Sequence, residues 1–343
     1  MLQTVQLGKN CGLEVSRLCL GTMNFGEPGR GHQGDWTLGP DDARPLFKAA
    51  IDHGLFYFDC ADVYGIGASE RVVGQLLREL LRRDEYVLAT KIAMPMGRGA
   101  NQGGLSRKHV IEGVDACLER LGLDYIDHLV IHRHPHGVPG RATVPIEETM
   151  EALHDVVKAG KALYLGGSSM FAWQFAELQL TAKMNGWTQF VSMQNHYNLV
   201  YREEEREMNP YCIQSGVALM PWSPLARGIL TGSYKGGFGA GSTQRSQGGD
   251  RRRTEGLYRG EAVFKIADRV VEVAKRYGNT PAQIALAWLL GKPGITAPVV
   301  GISRIEQLDQ LVKATDLVID SEDAKYLEEL YRPVENLLSI GTS

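Results

Sequence analysis

The feature that most restricts what this chain can become is a unit that recurs along its whole length. A short apolar run is followed by a loop and then by a segment with helical hydrophobic spacing. Apolar runs stand at 17–20, 55–59, 86–91, 126–132, 163–167, 190–194, 217–222 and 297–301. Helical spacing runs from Pro40 to His53, with Ala43, Phe47, Ala50 and Ile51 on one face. It returns over 69–83, 106–121, 146–159, 171–185, 203–215 and 261–291, the last reading as two helices, and a final helix opens at 304. A parallel connection needs a crossover of a dozen or more residues, so this alternation predicts a parallel sheet. Eight units close most simply into an α/β fold, the (β/α)8 TIM barrel, whose function sits at the C-terminal strand ends. Val5 to Leu7 and Leu13 to Val15, parted by GKNCG, predict a β-hairpin ahead of it. At 343 residues, residues 1–343 are expected to form a single domain with one core, closed by a C-terminal helix.

Composition narrows the partners. Thirty-seven basic and 40 acidic residues are interspersed to a formal charge of −3, so neither nucleic acid nor an anionic membrane is expected as a partner. Cys11, Cys19, Cys60, Cys117 and Cys212 are odd in number and lack CxxC spacing, which fits free thiols in a reducing compartment. The opening MLQTVQLGKN has no basic region followed by an apolar run, so no secretory signal is expected. No window of ~18 apolar residues offers a spanning helix. The expectation is a soluble, cytoplasmic protein.

Chemistry concentrates at the predicted strand ends: Gly21, Asp59, Lys91, His132, Ser168, Gln194, Trp222 and Gly301. In FDCADVYGIGASE, Asp59 leaves a strand and Tyr64 follows five residues later. A lysine aimed into a barrel mouth needs a counter-charge, and the neighbouring strand offers Asp59 to Lys91. A phenol with a reference pKa near ~10 gives up its proton poorly at neutral pH, and an adjacent ammonium is expected to lower that value. With His132 to direct a carbonyl, Tyr64 is placed to act as general acid. No side chain among these supplies hydride, so the set implies a nicotinamide cofactor. Two other signals are weaker. His132, His134 and His136 alternate at a strand end, but no later strand end adds a His or carboxylate, so no metal site is expected. GIGASE lacks the third glycine of a dinucleotide fingerprint and reads as a turn.

Seven ordered motifs carry a family resemblance. FDCADVYGIGASE, LATKIA, RLGLDYIDHLVIHRHP, YLGGSSM, SMQNHYN, PWSPLARGIL and PVVGISRIEQL resemble the aldo-keto reductases from about Leu7 to Leu330. They look most like the bacterial and potassium-channel β-subunit side of that superfamily. The resemblance implies a (β/α)8 barrel binding NAD(P)H, with the catalytic tetrad on Asp59, Tyr64, Lys91 and His132. It places Gly21, Thr22, Met23 and Asp59 at the cofactor, with Ser168, Ser169 and Gln194 at the carboxamide and Trp222 stacked on the nicotinamide. Ser169 stands where relatives commonly have Asn. Ser223, Leu225 and Gly228 would follow the pyrophosphate, and Gly301, Ser303, Arg304, Gln307 and Gln310 the adenosine end. There a helix N-terminus suits a phosphate. Gln310 and Leu311 depart from the usual Glu-Asn.

Arg304, with Arg245 or one of Arg251 to Arg253, is positioned to pair with a 2′-phosphate, which favours NADPH while leaving NADH possible. The glycine-rich loop near 232–256 is expected to be mobile and to close over bound cofactor. The predicted substrate pocket comprises Asn24, Phe25, Trp36, Tyr64, Met94, His134 and Trp222, with Tyr258 from the loop. Such an aromatic cup fits an aldehyde or a moderately bulky ketone as the small-molecule partner, reduced reversibly to an alcohol. A cofactor-loaded redox sensor with slow turnover is the competing expectation. The complete tetrad and the lack of a partner-binding tail before the barrel weigh against it.

Overall fold

The computed structural model describes residues 2–31, 36–234, 237–238 and 250–333. A hairpin of β1 (Thr4–Gln6) and β2 (Glu14–Ser16), with Val5 opposite Val15, comes first. The main strands are β3 (Cys19–Gly21), β4 (Tyr57–Asp59), β5 (Val87–Ile92), β6 (Ile126–Ile131), β7 (Ala162–Ser168), β8 (Phe190–Gln194), β9 (Ala218–Leu219) and β10 (Val299–Val300). These eight are parallel in the order β10-β3-β4-β5-β6-β7-β8-β9. Parallel bridges from Leu219 to Ile295 and from Trp222 to Val299 join the two ends, so the sheet closes as a (β/α)8 barrel. The expected strands 217–222 and 297–301 are shorter than predicted. Pro221 and Pro298 within them have no N–H to donate, so closure rests on scattered bonds such as Val299 N to Pro221 O at 2.9 Å.

The hairpin seals one end of the barrel. Leu7 and Val15 are buried in one cluster with Cys19, Tyr57, Val87, Val191, Ala218 and Ala297. Those residues open the strands, so the C-terminal ends are left as the mouth.

Helices surround the sheet: α1 (Pro40–Asp52), α2 (Ala68–Leu80), α3 (Arg107–Leu121), α4 (Ile146–Lys158), α5 (Ala172–Asn185), α6 (Met208–Ser215), α7 (Asp250–Leu257), α8 (Glu261–Tyr277), α9 (Pro281–Leu290), α10 (Ile305–Lys313) and α11 (Ser321–Glu328). In α1, Pro40 and the acids Asp41 and Asp42 occupy the first turn, where the missing N–H and the dipole suit them. Its buried Ala43, Leu46, Phe47 and Ala50 face the sheet at helical spacing. In α3, the Ser106 side chain accepts from His109 N at the start, and Gly122 at φ 66° ends the helix. The segment expected to be one helix over 203–215 begins instead as a 3-10 turn, Glu203–Glu205, ahead of α6. Three consecutive acids and Pro210 give that stretch little continuous apolar face. The expected loop over 232–256 contains the start of α7, while 239–249, including Arg245, lie outside the described residues.

Helices α2 and α3 meet where Gly74 leaves no room. A Cβ there would lie 2.2 Å from Leu121 O, a backbone atom that cannot swing aside. Gly74→Ala is therefore expected to cost about 1–3 kcal/mol through overpacking, read as a lower urea midpoint. An unchanged midpoint would show that the two helices separate freely at this point.

Candidate functional site

The site grows from β4 and β5, where Asp59 pairs with Ala89 and Lys91 lies two residues further towards the mouth. Lys91 Nζ donates to Asp59 Oδ2 at 2.6 Å, to Cys60 O at 2.7 Å and to Tyr64 Oη at 3.3 Å. All three ammonium donors are thus used, and the side chain is fully enclosed. The other Asp59 oxygen accepts from Gln194 Nε2 at 2.8 Å, a bond that reaches across the barrel from β8 to β4. Thr22, directly after β3, donates from its N and its Oγ1 to Asp59 O at 2.9 and 3.0 Å.

A clamp invisible in the local sequence holds the Tyr64 loop. Glu70, buried at the start of α2, accepts from Thr90 Oγ1 at 2.7 Å and from Arg120 Nε at 2.6 Å. Thr90 precedes Lys91, so the phenol's loop and the ammonium's strand are tied together one residue away from their contact. The turn between them uses three consecutive positive φ angles, at Gly65 (57°), Ile66 (51°) and Gly67 (82°). Two glycines make that backbone accessible.

Electrostatics sharpen the set. Burial works against the Lys91 ammonium, yet Asp59, Tyr64 and Cys60 together hold it above its ordinary value. For Tyr64 the sequence-based expectation is corrected: burial raises the phenol above its ordinary value and outweighs the downward pull of Lys91. The hydroxyl consequently keeps its proton at neutral pH. Burial, then Lys91, Arg133 and Arg253, push His132 well below its ordinary value, so its imidazole is neutral. Its ring meets that of Tyr64 edge-on with centroids 6.1 Å apart, and its buried Nδ1 has no partner among the described residues. A phenol hydroxyl and an unpartnered imidazole thus flank one spot beside the ammonium.

The wall opposite is polar and then aromatic. Ser168 Oγ donates to Gln194 O at 2.9 Å and lies 3.3 Å from Ser169 Oγ. Ser169, at φ 49°, accepts from Trp222 Nε1 at 3.0 Å. The Trp222 ring stacks on His196 (4.1 Å, 6°), which in turn stacks on Tyr201 (4.2 Å, 17°). Tyr258 is buried behind them, 2.7 Å from His196 Nε2 and accepting from Asn198 at 3.2 Å. Tyr258 is therefore wall support for Trp222. His196, overlooked in the sequence, lies two residues beyond Gln194 in SMQNHYN, a spacing that would have flagged it.

The remaining predicted positions divide. Gly21 ends β3, where a Cβ would come within 2.8 Å of Val299 Cγ1, and Met23 is half-buried beyond it. Ser223 (φ 53°) and Gly228 (φ 99°) shape the chain after Trp222, with Leu225 half-buried between them. Gly301, Ser303 and Arg304 are exposed at the start of α10, and a Cβ on Gly301 would meet nothing. Gln307 Oε1 caps that helix, accepting from Ser303 N at 2.8 Å and Arg304 N at 3.2 Å. Gln310 accepts from Thr280 Oγ1 at 3.3 Å and so joins α10 to α9.

In the predicted substrate pocket, Trp36 and Met94 are half-buried, and Asn24 donates to Ile302 O. Phe25 is not a pocket residue: it is buried against Phe47 at 5.1 Å, which stacks on Phe58, so it belongs to the core. His134 is buried edge-on to His136 (4.9 Å) and beside the half-exposed Trp173 (6.4 Å). Burial and His136 push it down to about 4. Among the described residues no three His, Cys, Asp or Glu side chains group to hold a metal ion. Nor is any described helix long and apolar enough to cross a membrane.

Comparison with known proteins agrees with the geometry. The aldo/keto reductase family model matches residues 17–332. A Schizosaccharomyces pombe protein, provisionally named an aryl-alcohol dehydrogenase, is 43% identical over 95% of both chains. Versiconal hemiacetal acetate reductase of Aspergillus parasiticus is 40% identical over 97% of this chain and 98% of its own. An aldo-keto reductase of Fusarium vanettenii is 40% identical over 94% and 90%. These relatives are fungal and lend no support to the expected placement on the bacterial and channel-subunit side. The chain belongs to the aldo/keto reductase family, and it is an oxidoreductase acting on carbonyl and alcohol groups.

Proposed function

We propose that this protein is an NADPH-dependent reductase of aldehydes or ketones, working reversibly, with Tyr64 as general acid. The observation that carries this reading is the single hydrogen-bonded set of Asp59, Lys91 and Tyr64 beside a neutral His132 with a free nitrogen. A reduced nicotinamide, when bound, supplies the hydride that none of these side chains can provide. Tyr64 Oη gives its proton to the carbonyl oxygen as negative charge develops there. Lys91, 3.3 Å from that hydroxyl, then offsets the charge growing on the phenol oxygen. Asp59 and Cys60 O keep the ammonium aimed. His132 points a neutral donor at the same carbonyl oxygen and holds it in line. In the direction of alcohol oxidation the same hydroxyl, once deprotonated, takes the proton back.

The residues also suit the cofactor. Ser168, Ser169 and Gln194 offer amide and hydroxyl groups beside Trp222, whose ring is held face-on to His196. Arg304 stands exposed at the N-terminus of α10 with no carboxylate partner among the described residues, in line with a 2′-phosphate and hence NADPH. The free cysteines, four of them buried, accord with a reducing, cytoplasmic setting.

Following NADPH and NADH absorbance against a panel of aldehydes and ketones tests the reading directly. Tyr64→Phe is expected to lower kcat by about 10²–10⁴, the span of general acid catalysis, while NADPH affinity stays within a few-fold. Near-normal turnover by the variant would remove Tyr64 as the acid. The pH profile supplies a second check. Reduction needs Tyr64 protonated, and its raised value moves that loss of activity into the alkaline range. His132 is already neutral, being lowered, so it adds no limb near neutrality. The kcat/KM for reduction is expected to be flat between about pH 6 and 9 and to decline only above it, whereas a limb near ~6.5 would show that His132 titrates in the mechanism.

A further inference from the structure

The layer between β5 and the helices holds charge where apolar side chains are the rule. Along β5, Val87 and Ala89 belong to the barrel interior, whereas Leu88 packs with Val72, Val73 and Leu76 of α2 and Ile92 with Val110 and Val114 of α3. Strand alternation sends Thr90 to that same outer side, back to back with Lys91. Its hydroxyl is fully buried and donates to Glu70 Oε1 at 2.7 Å. Glu70 Oε2 accepts from Arg120 Nε at 2.6 Å, with the two side chains 0% and 13% exposed. A buried ion pair of this kind adds little stability over apolar side chains of similar volume, so its presence here calls for another role.

What the pair fixes is the loop that carries Tyr64. Main-chain bonding to β5 continues past β4 as far as Asp62, whose N donates to Lys91 O at 3.0 Å. The chain then turns away, with Gly67 N donating back to Asp62 O at 2.7 Å and Ser69 N to Tyr64 O at 3.2 Å. Glu70 returns it to the strand at Thr90. Tyr64 is thus suspended between two anchors on consecutive residues of the strand that bears the ammonium. Arg120 also lies across the turn: a Cβ on Gly67, at φ 82°, would come within 2.4 Å of its Cδ and 2.7 Å of its Nε. Asp62 does not compete as an anion for that guanidinium, since burial and then Glu70 push its carboxyl well above the usual range.

We propose that Glu70, gripped by Thr90 and Arg120, is a positioning residue that sets the separation of the Tyr64 hydroxyl from Lys91 Nζ and through it the rate of proton donation. This rests on the reductase reading above and names the residue that holds its general acid in place. At 3.3 Å the contact between Tyr64 and Lys91 is already at the long end of hydrogen bonding, so further drift of the loop opens it. Misplacing a reacting group by ~1 Å costs about 10²-fold in rate.

The test is single-turnover reduction of 4-nitrobenzaldehyde at saturating NADPH by the full chain and by its Thr90→Val, Thr90→Ser, Glu70→Gln and Arg120→Lys variants, each shown by thermal unfolding to be folded. Thr90→Val and Glu70→Gln should slow the reaction by about 10–100-fold, while the KM for the aldehyde and the NADPH dissociation constant stay within a few-fold. Thr90→Ser keeps the hydroxyl and should keep most of the native rate. The pH profile carries a signature that lost stability alone would not produce. Lys91 pulls the Tyr64 phenol down against burial, so parting the two raises the phenol further and moves the alkaline loss of reduction to higher pH in Thr90→Val. Arg120→Lys keeps a cation beside Glu70 and should show a smaller loss, which leaves the clamp testable if Glu70→Gln does not fold. A folded Thr90→Val at the native rate, or an equal loss in Thr90→Ser, would overturn the inference and leave the reductase reading intact. Weakened NADPH binding with an unchanged single-turnover rate would overturn it by assigning the clamp to the cofactor cleft. Failure of the native protein to reduce this or any other carbonyl would overturn both.

Discussion

A single buried ion pair sets the terms for the rest of this molecule. Lys91 and Asp59 are almost completely shielded from water, at 0% and 2% side-chain exposure. Removing two charges from solvent costs several kcal/mol each, and their attraction offsets this only when the remaining donors and acceptors are also satisfied. Every one of them is here. Lys91 spends its other donors on Cys60 O and Tyr64, and Asp59 takes a second bond from Gln194. Replacing the pair with apolar residues would make a more ordinary core. Its place beside a phenol and an imidazole with no partner among the described residues accords with the proposed chemistry at the mouth.

The barrel makes such a pair possible because adjacent parallel strands deliver both groups from rigid backbone. Below the pair the interior is also polar but closed. Tyr57 Oη, His128 and Ser192 Oγ form a chain with both bonds at 2.7 Å, and Gly166 leaves space for the imidazole. Burial and then Lys91 push His128 down to about 3, so the floor of the barrel is neutral. Charge is thus confined to the layer where a carbonyl would arrive. Glu70 and Arg120 extend the same logic outward, since their contact with Thr90 holds the phenol's loop to the strand that carries the ammonium.

Much of this was legible from alternation alone. A parallel barrel places function at its C-terminal strand ends, and Asp59, Lys91, His132, Ser168, Gln194 and Trp222 all gather at the mouth. What escaped has physical reasons. Phe25 follows a strand end as a pocket residue would, but the three-dimensional neighbour that claims it, Phe47, lies on a different element. The Glu70–Arg120 clamp joins two helices 50 residues apart and leaves no local pattern. Helix α7 has little apolar face of its own and is held by Arg227 and Tyr258, so periodicity could not reveal it. The Tyr64 shift runs opposite to the expectation because the ammonium is visible in the sequence and the depth of burial is not. In the proposed reaction the ammonium would stabilise charge appearing on the phenol oxygen and would not acidify the resting hydroxyl, whose value burial raises.

If Lys91 acts through the Tyr64 hydroxyl, removing either should remove the same contribution. The most direct measurement is therefore a double-mutant cycle of Tyr64→Phe and Lys91→Met in single-turnover reduction with saturating NADPH, with thermal unfolding confirming that each variant is folded. The account predicts strong non-additivity, with the double variant within about twofold of the slower single variant. Rate losses that simply multiply would mean that the two groups work independently, and would contradict it.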